Sequence, residues 1–311
     1  MIRSFLRETD FSVEEAKEVF ALAHRYKKIR GGGRLNVLNG ESWGLIFFKK
    51  STRTRLSFQA GVYELGANAM VLESDDLQIS RGETIEDTAK VMGRYLHGLV
   101  IRAYDHSVVE DFKKYSGIPV VNALTDALHP CQSYTDIFSM MEHFGKGAPS
   151  LDAIKGRKFV FYGDTACNMA YSLALAGGMF GLEVVLCGPE EFRPSADLNT
   201  FFTESGITPT WSFETDPEKA AKNADVLYTD VWVSMGKEDE KAARLKQMAP
   251  YQVNEKLFKH AKDDSIFMHC LPAHAGEEVS EGVLKSGKSI IFDEAENRLH
   301  VQKAIITQLK K

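Results

Sequence analysis

Nearly continuous apolar runs alternate with longer segments of helical periodicity along the whole chain. Strands that are buried on both faces have such continuous apolar sequences, and parallel strands need a helical crossover between them. The pattern therefore predicts an α/β fold of mainly parallel sheets flanked by helices. We expect strands over Ser42–Phe48, Ala69–Leu72, Gly98–Arg102, Ile118–Asn122, Lys158–Tyr162, Glu183–Cys187, Val226–Thr229, Ile266–Cys270 and Ser289–Phe292.

The helical segments carry recognisable ends. Ser12 and Glu15 have the spacing of a capping box, which predicts a helix from Ser12 to Lys28. A second helical pattern ends where Gly181 follows Phe180. We expect further helices over Arg55–Leu65, Thr84–Arg94, Met169–Phe180 and Glu294–Lys311.

The length of 311 residues suggests two domains, since a usual domain has about 150 residues. Four predicted strands precede residue 125 and the others follow residue 155. The segment between them, Phe144–Arg157, contains three glycines and a proline, as a linker does. We therefore expect domains over residues 1–145 and 146–290, followed by a helix at 291–311 that could pack on either one.

Composition excludes several classes of protein. The formal net charge is −5, whereas a nucleic-acid-binding domain is usually basic. No apolar run approaches the ~18–20 residues that cross a bilayer. The N-terminal sequence lacks the pattern of a signal or transit peptide, and the four cysteines lie far apart without a CxxC pair. We expect a cytoplasmic protein with reduced thiols that binds neither nucleic acid nor membrane.

A dense polar cluster, Lys49–Arg55, lies between a predicted strand and a predicted helix. Hydroxyl residues at such a turn expose backbone N–H groups at a helix N-terminus, and the basic side chains add positive charge. A solvated basic loop is the alternative interpretation. The hydroxyls interleaved with the cations favour a phosphate or another anion.

Further polar residues follow other predicted strands, where α/β proteins place their ligands. Arg102 ends one strand, His129–Gln132 follows another, and His269–Pro272 follows a third. Two histidines and two cysteines in these segments allow a zinc site or a Cys–His nucleophile pair. Their spacing does not match zinc ligands, and nothing in the sequence indicates an activated thiol, so we disfavour both.

The second half of the chain lacks the glycines of a dinucleotide fingerprint, because Gly163–Asn168 contains only one. This argues against an NAD-linked dehydrogenase. Asn168, Asp230, Ser234 and the Cys270–Leu271 pair all lie at predicted carboxyl ends of strands. Together they suit an amino acid with an ammonium and a carboxylate group.

Five motifs occur in the order found in the aspartate/ornithine carbamoyltransferase family, which the chain resembles from about residue 5 to 305. Within that family it resembles most the members that use ornithine. The motifs are Ser51–Arg55, Asp76–Gln78 with Arg81–Glu83, His129–Gln132, Asp230–Gly236 and His269–Pro272.

The resemblance implies two Rossmann-like domains, with the last helix returning to the first. It implies a homotrimer with sites at the subunit interfaces, without cofactor, metal or covalent intermediate. The carbamoyl group of carbamoyl phosphate would pass to the δ-amine of L-ornithine, giving L-citrulline and phosphate.

The resemblance also assigns residues to roles, with Gln78 donated from a neighbouring subunit. The catalytic groups would be Arg102, His129, Gln132, Cys270 and Arg298. Carbamoyl phosphate would contact these five residues and also Ser51, Thr52, Arg53, Thr54, Gln78, Pro130, Cys131 and Leu271. Ornithine would be held by Asn168, Asp230, Ser234 and Met235.

Some positions depart from the family pattern, namely Lys50, Gln59, Cys167 and Ala275. An aspartate-using relative would need an arginine at position 273, where this chain has alanine. A putrescine-using relative would have no need of an acid and amides for an amino-acid head group. A non-catalytic homologue is the remaining alternative, and retention of the polar groups argues against it.

Overall fold

The computed structural model describes residues 2–233 and 241–311, and it has the predicted α/β architecture. The strands are β1 Ser42–Phe47, β2 Asn68–Glu73, β3 Gly98–Arg102, β4 Val120–Leu124, β5 Lys158–Tyr162, β6 Glu183–Cys187, β7 Trp211–Glu214, β8 Val226–Thr229 and β9 Ile266–Met268. The α-helices are α1 Val13–Lys28, α2 Thr52–Glu64, α3 Ile85–Tyr95, α4 His106–Ser116, α5 Pro130–Phe144, α6 Asn168–Phe180, α7 Ala196–Ser205, α8 Pro217–Ala221, α9 Lys241–Met248, α10 Glu255–Phe258, α11 Glu281–Leu284 and α12 Ile291–Leu309.

Eight predicted strands are confirmed, with small shifts at their ends, and one prediction is wrong. The Ser289–Phe292 segment forms only an isolated bridge between Phe267 and Ser289, and α12 begins at Ile291. A short apolar run fits a buried helix as well as a strand, which explains the error. The strand β7 was not predicted, because its partly exposed sequence lacks a continuous apolar run.

The chain divides into two compact units. The first unit comprises the chain up to Phe138 together with Glu296–Lys311, and the second comprises Ser139–Ala295. The helix α12 therefore begins in the second unit and contributes most of its length to the first.

The sheet of the first unit has the strand order β2-β1-β3-β4, and all its pairs are parallel. The chain moves from β1 to β2 in one direction and then crosses to β3 on the other side of β1. The carboxyl ends of β1 and β3 thus flank a topological switch point, where open α/β sheets bind ligands.

The sheet of the second unit repeats this arrangement with five strands in the order β7-β6-β5-β8-β9, again all parallel. The chain first winds outward from β5 through β6 to β7, and then returns to β8 on the other side. The second switch point therefore lies between the carboxyl ends of β5 and β8.

Each sheet is covered by helices whose apolar faces form its core. The helix α1 begins with the predicted capping box, since Ser12 Oγ accepts from Glu15 N at 3.3 Å and Glu15 Oε2 accepts from Ser12 N at 2.9 Å. The predicted apolar positions of α12 are buried: Leu299, Ala304, Ile305 and Leu309. Within the described ranges, no helix combines the length and apolar character needed to cross a bilayer.

The helices α3 and α4 pack closely at Gly93, because a Cβ at this position would lie 1.8 Å from the carbonyl oxygen of Ser116. We expect Gly93→Ala to lower the free energy of unfolding by about 2 kcal/mol, since overpacking costs typically about 1–3 kcal/mol. The better helix propensity of alanine offsets only part of this loss.

Gly287→Ala is the matched control, because a Cβ there would meet no atom within 4 Å. Urea unfolding of both variants measures the difference. Equal midpoints for the two variants would contradict close packing at Gly93.

Candidate functional site

The first switch point collects polar residues that the sequence placed far apart. Arg102 is the last residue of β3, and its backbone lies opposite Phe47 of β1 and Leu124 of β4. The helix α2 begins just after β1, and α5 begins just after β4. We call the residues gathered here the cation-rich half-site: Thr54, Arg102, His129, Gln132 and Arg298.

The turn before α2 exposes a helix N-terminus at the carboxyl end of β1. Ser51 is its N-cap, and its Oγ accepts a hydrogen bond from Thr54 N at 3.3 Å. Thr52 and Arg53 follow in the first turn with exposed side chains, whereas Thr54 is buried. Helix N-termini attract anions through their backbone N–H groups and the helix dipole, so this turn can hold a phosphate.

Arg298 brings a buried positive charge from α12 to this turn. Only 6% of the residue is exposed. Its Nη2 donates to Thr54 Oγ1 at 3.3 Å, and its Nη1 donates to Gln132 Oε1. Gln132 Nε2 donates to Asp136 Oδ1 at 2.7 Å, so the carboxylate orients the amide with its oxygen towards the guanidinium.

His129 lies directly before α5, where its carbonyl oxygen accepts from Gln132 N at 2.9 Å. Burial, together with the nearby guanidinium groups of Arg298 and Arg102, holds the pKa of His129 well below its ordinary value. The imidazole is therefore neutral at pH 7, and it can donate a hydrogen bond without carrying charge.

The neighbouring residues Pro130 and Cys131 are buried. The Cys131 thiol donates to Asn122 O at 3.3 Å, and burial raises its pKa to about 12. A neutral, buried thiol is a poor nucleophile, so the geometry disfavours Cys131 in covalent catalysis.

The side chain of Gln78 is exposed in a 3₁₀ helix, Gln78–Arg81, that follows β2. Two of the departures from the family pattern, Lys50 and Gln59, are also exposed. Arg55, the last residue of its motif, pairs with Glu73 at 2.7 Å instead of remaining available to a ligand.

The second switch point carries a different set, which we call the acid–thiol half-site: Asn168, Asp230, Cys270 and Leu271. Asn168 is the first residue of α6, and Asp230 follows β8. Cys270 follows β9, and its Sγ donates to Asp230 Oδ1 at 3.1 Å. The same carboxylate oxygen accepts from Val231 N at 2.7 Å. A half-buried carboxylate in this setting can bind an ammonium group.

Buried acids hold the turn that carries Cys270 and Leu271. His269 N donates to Glu294 Oε2 at 3.0 Å, and Leu271 N donates to His269 Nδ1 at 2.8 Å. This second bond supports Leu271 at φ 60°, a conformation that is costly for a branched residue. Sequence reasoning missed Glu278 and Glu294, which lie in no motif.

The side chains of Asp230, His269 and Cys270 place atoms that could ligate a metal ion within 4.8 Å of one another. His269 Nδ1 accepts from the Leu271 amide, and its Nε2 lies 3.3 Å from Glu278 Oε1. The Cys270 thiol is already engaged by the carboxylate of Asp230. These contacts describe an internal hydrogen-bond network better than a set of metal ligands.

Ser234 and Met235, predicted at the α-carboxylate of the substrate, lie outside the described residues. Cys167 is the N-cap of α6, and burial raises the pKa of its thiol. Ala275, the remaining departure, is exposed. The structure thus brings Asp230 and Cys270 into contact and places Asn168 at the start of α6, the helix that follows the neighbouring strand β5.

Two family models match the chain. The carbamoyl-P binding domain of aspartate/ornithine carbamoyltransferases matches residues 3–142, and their Asp/Orn binding domain matches residues 155–309. The chain belongs to the aspartate/ornithine carbamoyltransferase family, which confirms the resemblance inferred from the motifs.

The similar proteins described next are all ornithine carbamoyltransferases. The ornithine carbamoyltransferase of Thermococcus kodakarensis is 45% identical over 307 residues, which cover 98% of this chain and 95% of that one. The structure of ornithine carbamoyltransferase from Pyrococcus furiosus superposes with a TM-score of 0.89 at 44% identity, covering 98% of this chain and 96% of that one. The anabolic ornithine carbamoyltransferase from Campylobacter jejuni also gives a TM-score of 0.89, at 35% identity and 99% coverage of both chains.

The lowered pKa of His129 predicts a pH dependence of stability. Below its ordinary pKa of about 6.5 the unfolded chain takes up a proton that the folded protein does not bind, so stability falls as the pH falls. The free energy of unfolding should fall between pH 7.5 and pH 5.5. We expect this fall to be about 1 kcal/mol smaller in the His129→Gln variant than in the wild type.

Urea unfolding of both proteins at the two pH values measures this difference. The comparison uses the change with pH, and therefore any constant effect of the substitution cancels. An unchanged loss in the variant would mean that His129 binds its proton in the folded protein as readily as in the unfolded chain.

Proposed function

We propose that the protein transfers the carbamoyl group of carbamoyl phosphate to the δ-amine of L-ornithine, giving L-citrulline and phosphate. The observation that carries this proposal is the buried contact of Arg298 with Thr54 and Gln132 at a helix N-terminus, beside a neutral His129. This arrangement provides hydrogen-bond donors for both a phosphate and a carbonyl oxygen, and the chain belongs to the carbamoyltransferase family.

The first unit is assigned to carbamoyl phosphate. The N-terminus of α2, with Ser51, Thr52, Arg53 and Thr54, binds the phosphate. Arg102, His129 and Gln132 reach the carbamoyl group, and Arg298 completes the site with its buried charge. Donors fixed in advance stabilise the negative charge that develops on the carbonyl oxygen and on the departing phosphate.

The second unit is assigned to ornithine. Asp230 binds the α-ammonium group, while Asn168 and the segment around Ser234 and Met235 bind the α-carboxylate. Cys270 and Leu271 face the δ-amine. The acid at position 230 and the alanine at 273 disfavour an aspartate substrate, whose side chain would add a second carboxylate.

The reaction proceeds by direct attack of the neutral amine on the carbonyl carbon. An alkyl amine has a pKa near ~10.4, so holding it neutral at pH 7 costs roughly 4–5 kcal/mol. Orientation of the two reactants can lower the barrier by about 7–11 kcal/mol, which exceeds this cost. The chain needs no nucleophile of its own for this chemistry.

The assembly belongs to the same proposal. We place the protein in the cytoplasm as a homotrimer, in which the exposed Gln78 reaches the carbamoyl phosphate of a neighbouring subunit. The four cysteines are free thiols, as a reducing compartment requires. The Campylobacter relative is an anabolic ornithine carbamoyltransferase, which supports the direction towards citrulline.

The test of this function is citrulline formation by the purified protein with carbamoyl phosphate. Ornithine, putrescine and aspartate are offered in parallel, and we expect turnover with ornithine alone. Turnover with putrescine, which lacks the carboxylate of ornithine, would contradict the assignment of Asn168, Ser234 and Met235 to the α-carboxylate. The absence of product from any amine would contradict catalysis itself.

Asp230→Asn is expected to raise the KM for ornithine by tenfold or more, because the amide cannot neutralise the α-ammonium group. The KM for carbamoyl phosphate should change less than threefold. Steady-state kinetics with each substrate varied in turn measures both values. Asp263→Asn removes an exposed carboxylate of the same unit and serves as the control. Equal increases in both KM values would place Asp230 away from the amino acid.

Arg53→Ala is expected to weaken carbamoyl phosphate binding at least tenfold, since it removes a cation from the first turn of α2. Lys50→Ala removes an equally exposed cation three residues earlier and should change affinity less than threefold. Titration calorimetry with carbamoyl phosphate compares the two. Similar affinities would show that the phosphate does not bind at this turn.

A further inference from the structure

A buried arginine lies in the second unit outside both half-sites. Arg244 belongs to α9 and is 7% exposed, whereas Lys246 on the same helix is exposed. Arginine is almost never buried unless polar groups pair with it. The groups that hold Arg244 therefore indicate what it does.

The described contacts of the guanidinium include a carboxylate, a carbonyl oxygen and an aromatic ring. Its Nη1 donates to Asp164 Oδ2 at 2.9 Å and to the carbonyl oxygen of Trp232 at 3.2 Å. Its Cζ lies 4.8 Å from the centre of the Phe192 ring. The charge is thus paired with a carboxylate and packed against an aromatic face, where a guanidinium is well accommodated.

The two polar partners belong to the two segments that carry ornithine-binding residues. Asp164 lies in the turn between β5 and α6, four residues before Asn168, and its Oδ1 accepts from Ala166 N at 3.0 Å. Trp232 follows Asp230 by two residues. One guanidinium therefore connects the turn leading to Asn168 with the segment leading away from Asp230.

This connection lies beyond the last strand-to-strand pair of the sheet. The register of β5 and β8 ends at Tyr162 and Thr229, where Thr229 Oγ1 donates to Tyr162 O at 2.8 Å. The Trp232 indole packs on Gly163, where a Cβ would lie 3.0 Å from its Nε1. Arg244 supplies a charged contact between the two segments beyond the point where the pairing of β5 with β8 ends.

We propose that Arg244 is a positioning residue for the amino-acid substrate, which holds Asn168 and Asp230 at the spacing of an α-carboxylate and an α-ammonium group. The inference rests on the proposed function and extends it to a residue that touches no reacting atom. Asp164 is its partner in this role. Neither residue lies in the family motifs that identified the binding residues.

The test measures both KM values and kcat for Arg244→Met, Arg244→Lys and Asp164→Asn. We expect Arg244→Met to raise the KM for ornithine about tenfold to hundredfold, with kcat at saturating ornithine reduced less than threefold. The KM for carbamoyl phosphate should stay within twofold, because the contacts of Arg244 described above all lie in the second unit. Lys246→Met, which removes a cation from the exposed face of α9, should change neither KM.

The conservative variant separates positioning from general stability. Lysine keeps the charge but presents it as a point, so Arg244→Lys should bind ornithine more tightly than Arg244→Met and more weakly than the wild type. Asp164→Asn should raise the KM for ornithine as well. The Asp164→Asn/Arg244→Met double variant should be no worse than Arg244→Met, since both changes remove one interaction.

The outcomes distinguish the two proposals. A wild-type protein that makes no citrulline overturns the proposed function and this inference with it. An active wild type whose Arg244→Met variant melts earlier but keeps its KM for ornithine overturns the inference alone. Equal increases in both KM values, or additive effects in the double variant, would also overturn it.

Discussion

Parallel strands β1 and β3 are hydrogen-bonded neighbours although β2 lies between them in the chain. The same reversal of winding occurs between β5 and β8 in the second unit. At such a point the connections after adjacent strands leave in opposite directions, and the carboxyl ends of the strands remain uncovered. The proposed substrate contacts of each unit cluster at these ends, because nowhere else in a sheet covered by helices can polar side chains meet a ligand without crossing the core.

The cation-rich half-site concentrates positive charge within a protein whose formal net charge is −5. Its positive charge is concentrated in a few arginines and a helix N-terminus instead of being spread over the surface. Arg298 is buried, and Thr54 and Gln132 hold it in place. Burial, together with the same cations, lowers the pKa of His129, so its imidazole does not add to the charge. The local charge of this half-site is therefore opposite in sign to the net charge of the chain.

Much of the fold could be predicted from the sequence, because strands buried on both faces have continuous apolar runs. The edge strand β7 could not, since Trp211–Glu214 is partly exposed and mixes polar with apolar residues. The motif residues of the half-sites were also predicted, in part from a family resemblance. The buried residues that contact the segments carrying these motif residues were not predicted. They are Glu278, Glu294 and Arg244, which pair with partners 9 to 80 residues away in the chain. Neither hydrophobic periodicity nor motif spacing can predict such pairs, because only the folded chain brings the two residues together.

The helix α12 gives the first unit a dependence on the order of synthesis. A ribosome completes the β1–β4 sheet early, yet Arg298 reaches Thr54 and Gln132 only after the entire second unit has been made. At about 5–20 residues per second, the first unit therefore waits many seconds for the helix and the charge that complete it. During that interval the residues of the first unit that pack against α12 lack their partner. The buried charge of Arg298 is thus among the last parts of the first unit to be put in place.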